Sequence, residues 1–383
     1  MNQLNLKTLY NYLSSIYKNA DSNEIKNLSN QIKKIFENKL DKKPDSELWN
    51  EKDCFLITYA DSIIKEKQIN FKTLGKFLNK YCKEFSFIHI LPFYPYSSDD
   101  GFAVIDYKKI KNGHGNWDDF SELSSKFKIM SDLVINHCSS QNELFKNFLN
   151  KIEPGLDFFI SSNKNFVNFT KVVRPRSSDL SKKVNINGKD YYVWCTFSHD
   201  QVDFDFKNPK VLLYFLEIIK LYLDKGTKAL RLDAVAFLWK EKGTKCINLP
   251  ETHLLIRLIR LIIESYAGEC LIITETNLPS HENLTYFGNN NEAHCIYNFS
   301  LAPLLVHAII SGNSTYLKQW SRSMPPAQFG NSYLNFLSTH DGIGMRPLEG
   351  ILPQDELDKF INTLEKSGAY LTHRVSQKKK NSL

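Results

Sequence analysis

The 383-residue chain has no run of eighteen or more apolar residues, so no helix that crosses a bilayer is expected. Its N-terminus, MNQLNLKTLYNYLSSIYKNADSNEIKN, lacks an uninterrupted apolar stretch followed by small residues. No secretory signal is therefore expected, and the cytoplasm is the expected compartment. The chain also has no CxxC pair and no histidine cluster at metal spacing. Its seven cysteines stand singly, which favours reduced, mostly buried thiols over a disulfide framework or a zinc site. The net charge is +7, yet lysine is spread along the whole chain without a basic helix or a recognition motif. Nucleic acid is thus not an expected partner, and a basic protein suits small anionic substrates instead. The remainder, 42% hydrophobic and 24% charged, is an ordinary globular composition, in a chain long enough for one large core with an inserted small domain.

The most informative stretch is Gly226 to Trp239, GTKALRLDAVAFLW. An apolar run there reaches an arginine and an aspartate before a helix-like pattern begins. Residues i and i+2 of a strand share a face, so Arg231 and Asp233 point one way while Leu230 and Leu232 pack the other. The adjacent cation favours an ionised Asp233. A carboxylate at the C-terminal end of a buried strand can act as a nucleophile or an electrostatic stabiliser, and in a βα barrel such ends form the active face. A structural ion pair would carry the same residues, so other strand ends must decide. IMSDLVIN (Ile129 to Asn136) carries Asp132 and leads to His137; CLIITE (Cys270 to Glu275) stops at a carboxylate; YLNFLS (Tyr333 to Ser338) precedes Thr339, His340 and Asp341. Four apolar runs that carry or lead into Asp, Glu or His are the layout of a parallel barrel with a polar mouth.

In these four motifs, Asp132 with Asn136-His137, Arg231-Leu-Asp233, Glu275, and His340-Asp341, the chain resembles the alpha-amylase superfamily of retaining glycoside hydrolases and transglycosylases. The text between them, HILPFYPYSSDDGFAVIDY, the Arg174-Pro-Arg176 segment, RLDAVAFLWKE and THDGIGMRPLEGIL, is similar to the sucrose phosphorylase subgroup, and the N-terminal extension with SSDDGF and AVAFLWKE looks most like its glucosylglycerate phosphorylases. The resemblance runs from about Cys54 to about Arg374. It implies an α/β fold, a (β/α)8 TIM barrel, with an inserted domain B after the third strand. The expected organisation is a helical extension over 1–52, the barrel over 53–137 and 206–383, and domain B over 138–205.

Retaining chemistry needs one carboxylate to attack the anomeric carbon and a second, about 5 to 5.5 Å away, to protonate the leaving oxygen. Asp233 suits the first role. Glu275 suits the second, because the apolar CLIIT before it should raise its pKa. By the resemblance, Asp341 holds the sugar hydroxyls, His137 and His340 hydrogen-bond the same sugar, and Arg231 keeps Asp233 charged. Asp99 and Asp100 border the glucose subsite, with Asp99 the better match, while Asp132 and Asn136 brace the site. In a phosphorylase, phosphate replaces water as the attacking group, and Arg176, supported by Arg174, is the expected phosphate ligand. Phe237 stands where short sucrose phosphorylases have tyrosine, which puts sucrose in doubt, so the implied reaction moves glucose from sucrose or glucosylglycerate to phosphate and gives α-glucose 1-phosphate. The implied partners are a small glucoside and inorganic phosphate, with no cofactor and no metal. A hydrolase or transglucosylase of the same superfamily, or an inactive remnant, are the competing readings.

The family continues past the point where this chain stops. After Arg374 the text runs into VSQKKKNSL, with no candidate for a seventh helix, an eighth strand and helix, or a C-terminal β domain. An incomplete barrel is therefore expected, with Cys54 to Tyr59 and Tyr333 to Ser338 as its two unpaired edges, poorly soluble or inactive without a separately encoded C-terminal segment.

Overall fold

A computed structural model describes residues 5–37, 48–166, 171–176, 178–371, 373–376 and 379–382. Seven parallel strands stand in sequence order in one sheet: β1 (Phe55–Thr58), β2 (Phe87–Ile90), β3 (Lys128–Val134), β4 (Thr227–Asp233), β5 (Leu271–Thr274), β6 (Cys295–Tyr297) and β7 (Ser332–Leu334). With helices between them they make an incomplete (β/α) barrel, and β1 and β7 are the end strands among the described residues. The central strands β2 to β5 are buried almost throughout, as parallel strands covered on both faces must be. The end strands β1 and β7 are only half-buried.

The chain divides into two compact units, one of Met1–Arg174 with Ser178–Ile272, the other of Pro175–Ser177 with Ile273–Leu383. In the first, helices α1 (Leu6–Ile16) and α2 (Ser22–Ile35) are capped by Asn5 and by an Asp21/Glu24 capping box. Their apolar stripes, Leu9, Leu13 and Ile16 on one and Ile25, Leu28 and Ile32 on the other, are buried. They pack on α3 (Pro209–Asp224) and α4 (Pro250–Tyr266), outside the strands.

The insertion after β3 begins with an antiparallel pair, His137–Ser139 with Gln201–Asp203, and carries a three-stranded sheet built on the hairpin Ser181–Ile186 and Lys189–Trp194. An aromatic layer then fastens the end of β3. Tyr94 Oη donates to Asp132 O at 3.1 Å, Tyr107 Oη to Val134 O at 2.9 Å, and Tyr222 Oη to Tyr107 O at 3.0 Å. Burial raises the pKa of all three phenols, so each stays a donor. The second unit has a smaller core of Leu304, Trp320, Met345, Leu348, Leu352 and Phe360.

Three boundaries differ from the sequence reading. The apolar pattern over Leu74 to Phe85 predicts the first barrel helix, but the helix runs Asn70–Tyr81, because its first N–H groups find acceptors far along the chain, Asn70 N on Gly113 O and Phe71 N on His114 O. Strand β7 ends at Leu334 rather than Ser338, because β6 offers it a ladder of just three residues. Finally, a thirteen-residue helix, Gln354–Lys366, follows β7 where no helix was anticipated, although Leu357, Phe360, Ile361 and Leu364 stand at helical spacing; Phe360 is buried, and Leu357 and Leu364 pack against the same core. Of the expected irregular tail, His373–Ser376 pairs antiparallel with Lys379–Ser382, whereas Gln377, Lys378 and Leu383 lie outside the described residues. None of the seven cysteines stands in a disulfide among the described residues, and five of them are buried. No helix among the described residues is long and apolar enough to cross a membrane.

Candidate active site

Strands β3 and β4 pair in a register that sets Asp132 opposite Arg231 and Val134 opposite Asp233. The Arg231 guanidinium therefore lies between two carboxylates, with Nη1 2.6 Å from Asp132 Oδ1 and 2.8 Å from Asp233 Oδ1. His89 on β2 closes the far end, its Nε2 2.8 Å from Asp132 Oδ2. Burial by itself would push the Asp132 carboxyl up, but His89 and Arg231 outweigh it and bring it down to about 2. Asp132 is fully enclosed, whereas the Asp233 side chain keeps about a tenth of its surface open (10%). The guanidinium also faces the Phe102 ring, 5.4 Å from its centroid. After Asp233 the chain turns sharply: Ala234 takes a left-handed φ of 50°, and Val235–Phe237 form a 3-10 turn.

A second group forms where β3 enters the insertion. His137 Nε2 lies 3.1 Å from Phe102 O, and Gln201 Nε2 sits 3.1 Å from the same nitrogen while donating to Asp99 Oδ2 at 2.8 Å. Burial lowers the His137 pKa, and Asp203 and Asp99 partly restore it, so the ring titrates below its ordinary value. The Phe197 ring packs on His137 at 5.0 Å and on Phe237 at 5.4 Å. Asp99 and Asp100 occupy consecutive left-handed conformations in a short turn and are both exposed. Gly101 follows at φ 113°, where a Cβ would meet Pro92 Cβ at 2.9 Å. Asp200 ties this loop to the insertion, accepting from Ser98 Oγ and Ser140 Oγ at 2.6 Å each and also from Ser97 Oγ.

Glu275, His340, Asp341 and Arg176 belong to the second unit. Glu275 is half-buried one residue beyond β5. His340 Nε2 lies 3.4 Å from Asp341 Oδ2, with the histidine nearly covered and the aspartate side chain 63% exposed. Arg176 is exposed. Arg174, in the first unit, reaches Ser178 Oγ at 3.4 Å. The first unit thus brings Asp233 together with Arg231, and His137 with Asp99 and Phe237 through Gln201 and Phe197, while the second joins His340 to Asp341.

Sequence reasoning missed His89, Gln201 and a buried ion pair of Lys240 with Asp203, Nζ to Oδ2 2.8 Å. His89 and Lys240 stand inside motif text already singled out, HILPFYP and AVAFLWKE, and a charged residue in an apolar stretch was the available signal. Gln201 and Asp203 carried none, because they pair with the end of β3 from across the insertion.

A sequence model of the family described as alpha amylase, catalytic domain, matches residues 79–342, and the chain belongs to that family. It is 42% identical over 323 residues to a glucosylglycerate phosphorylase of Spirochaeta thermophila, covering 84% of this chain and 55% of that one. It is also 42% identical over 325 residues to an Escherichia coli glucosylglycerate phosphorylase, 84% and 58% covered. The chain thus spans little more than half the length of these curated relatives. Among solved structures, that of sucrose 6F-phosphate phosphorylase from Thermoanaerobacter thermosaccharolyticum superimposes with a TM-score of 0.76 at 27% identity, covering 87% of this chain and 68% of that one.

Proposed function

We propose that the chain is the catalytic barrel of a retaining glucoside phosphorylase that moves glucose from glucosylglycerate to inorganic phosphate. The observation that supports it most is the Asp233 carboxylate, held 2.8 Å from Arg231 at the end of β4. Glucosylglycerate is preferred over sucrose because relatives named for it are 38 to 42% identical, against 26 to 30% for sucrose and sucrose 6F-phosphate phosphorylases.

In the first step an Asp233 oxygen attacks the anomeric carbon as the bond to the glycerate oxygen breaks, and Glu275 gives that oxygen its proton. The products are a glucosyl ester on Asp233 and free glycerate. In the second step a phosphate oxygen attacks the same carbon, the ester bond returns its electrons to Asp233, and Glu275 recovers a proton from the incoming phosphate. Two inversions leave α-glucose 1-phosphate. Arg231 keeps Asp233 anionic before attack and makes it a competent leaving group afterwards. Asp341, His340, His137 and Asp99 hold sugar hydroxyls, Asp100 flanks them, Phe237 walls the acceptor side and Arg176 receives the phosphate.

Incubation with glucosylglycerate should release α-glucose 1-phosphate, and only with phosphate present. Free glucose formed at the same rate without phosphate would make the protein a hydrolase, transfer to a second sugar would make it a transglucosylase, and equal turnover of sucrose would remove the donor assignment.

A further inference from the structure

The Lys240 ammonium is almost fully enclosed and bonds two side chains, Asp203 Oδ2 at 2.8 Å and Asn136 Oδ1 at 2.6 Å. Asp203 accepts in addition from Thr196 N at 2.9 Å, from Thr196 Oγ1 at 2.6 Å and from Asn136 Nδ2 at 3.0 Å. An ammonium can donate and never accept, and a carboxylate can accept and never donate. Together they permit one orientation of the Asn136 amide, oxygen toward Lys240 and nitrogen toward Asp203. That nitrogen has a second proton, and His137 Nδ1 lies 3.3 Å from it. Nδ1 must then be the acceptor, so the proton of the neutral ring sits on Nε2, which faces the Phe102 carbonyl at 3.1 Å. Gln201 Nε2, the other neighbour at 3.1 Å, is itself a donor with one proton already on Asp99 Oδ2, so an amide donor faces each ring nitrogen and the Phe102 carbonyl is the acceptor that decides for Nε2–H.

We infer that Lys240 is a positioning residue: through Asn136 it sets which nitrogen of His137 carries the proton, and thus presents His137 as a hydrogen-bond donor at Nε2. The inference rests on the function proposed above only in giving that donor a sugar hydroxyl to meet in place of the Phe102 carbonyl. A lysine suits the task because its charge is compensated by Asp203, so the relay brings no net charge next to the ring. The charged groups that bear on the histidine are Asp203 and Asp99, which raise its pKa, and Lys240, which lowers it.

The test is side-chain 15N NMR of histidine-labelled full chain, with the His137 signal identified by its loss in His137→Asn. The unmodified chain should show the neutral Nε2–H tautomer alone. Lys240→Met should mix the two neutral tautomers and move the half-titration of His137 upward. Asn136→Ala keeps the Lys240–Asp203 bridge but cuts the relay, and should mix the tautomers as well; it also carries the test if Lys240→Met does not fold. Phosphorolysis by either variant should lose about tenfold in kcat/KM, the size of one hydrogen bond to a substrate hydroxyl. A proton found on Nδ1 in the unmodified chain, or a single Nε2–H tautomer with unchanged titration in both folded variants, would overturn the inference. The tautomer is read without turnover, so a chain that shows the expected NMR response but no phosphorolysis refutes the proposed function and leaves the relay standing.

Discussion

The groups around Asp233 and those around Asp341 differ in how their positions are set. Asp132, Arg231 and Asp233, with side chains 0, 3 and 10% exposed, form one hydrogen-bonded chain with its charges compensated. Asp341 is 63% exposed and stands 3.4 Å from His340, longer than a strong charge-assisted bond. Single aromatic positions differ likewise: Phe93 in the first unit is 1% exposed, while Phe329 in the second is 98% exposed. A buried network is preorganised, but its members answer for stability as well as for chemistry. The exposed groups answer for little stability, so their chemical roles can be tested without unfolding the protein.

The largest effect should come where chemistry and burial coincide. Asp233→Asn should lower release of α-glucose 1-phosphate by at least about 10⁴-fold, roughly 5 kcal/mol, because no nucleophile remains. More than a hundredth of the original turnover would exclude Asp233 from that role. Arg231→Leu should cost about 3 to 5 kcal/mol in urea unfolding, since it leaves Asp132 and Asp233 buried without their cation; a loss under about 1 kcal/mol would erase the contrast between the two sites.

A smaller effect follows from pH. The folded-state pKa of Asp132 is about 2, against an ordinary value of 3.8. A depressed carboxylate pKa stabilises the fold fully above the ordinary value, and this contribution, about 2 kcal/mol, is lost as pH falls from about 4 toward 2. Stability in Asp132→Asn should accordingly vary less over that window in denaturant titrations. His137 adds to the same trend from a higher pH: its lowered pKa stabilises the fold fully above about 6.5, and protonation withdraws this as pH falls below that value.

The smallest effects belong to the exposed positions. Phe329→Ser should shift unfolding by less than about 0.5 kcal/mol, against about 3 to 5 for Phe93→Ala. Asp341→Asn should be equally mild in stability and yet lower turnover by about 10² or more, the cost of losing a charge that acts in the transition state. Unchanged turnover would remove Asp341 from the machinery.

Much of this was legible in the order of the residues. Arg231 and Asp233 share a strand face by two-residue periodicity, and the boundaries of helix Pro209–Asp224 follow from Asn208, Pro209 and its apolar pattern. Less legible were features set by neighbours. Asn70 starts a helix without a side-chain cap because Gly113 and His114 receive its first N–H groups. Helix Gln354–Lys366, by contrast, was legible and overlooked, since Leu357, Phe360, Ile361 and Leu364 stand at helical spacing. The short strand β7 takes its length from β6.

The sequence by itself determined the carboxylate-bearing strand ends, the family and the pairing of Arg231 with Asp233, since these depend on spacing within a single strand or on motif text. Tertiary structure alone decided that Asp132 would share the Arg231 guanidinium, that His89 would close the chain of charges, and that Lys240 and Asp203 would meet at Asn136. Those contacts join residues tens of positions apart. They are set by strand register and by the return of the insertion onto the end of β3, and local spacing carries no information about which distant donor will reach a buried acceptor.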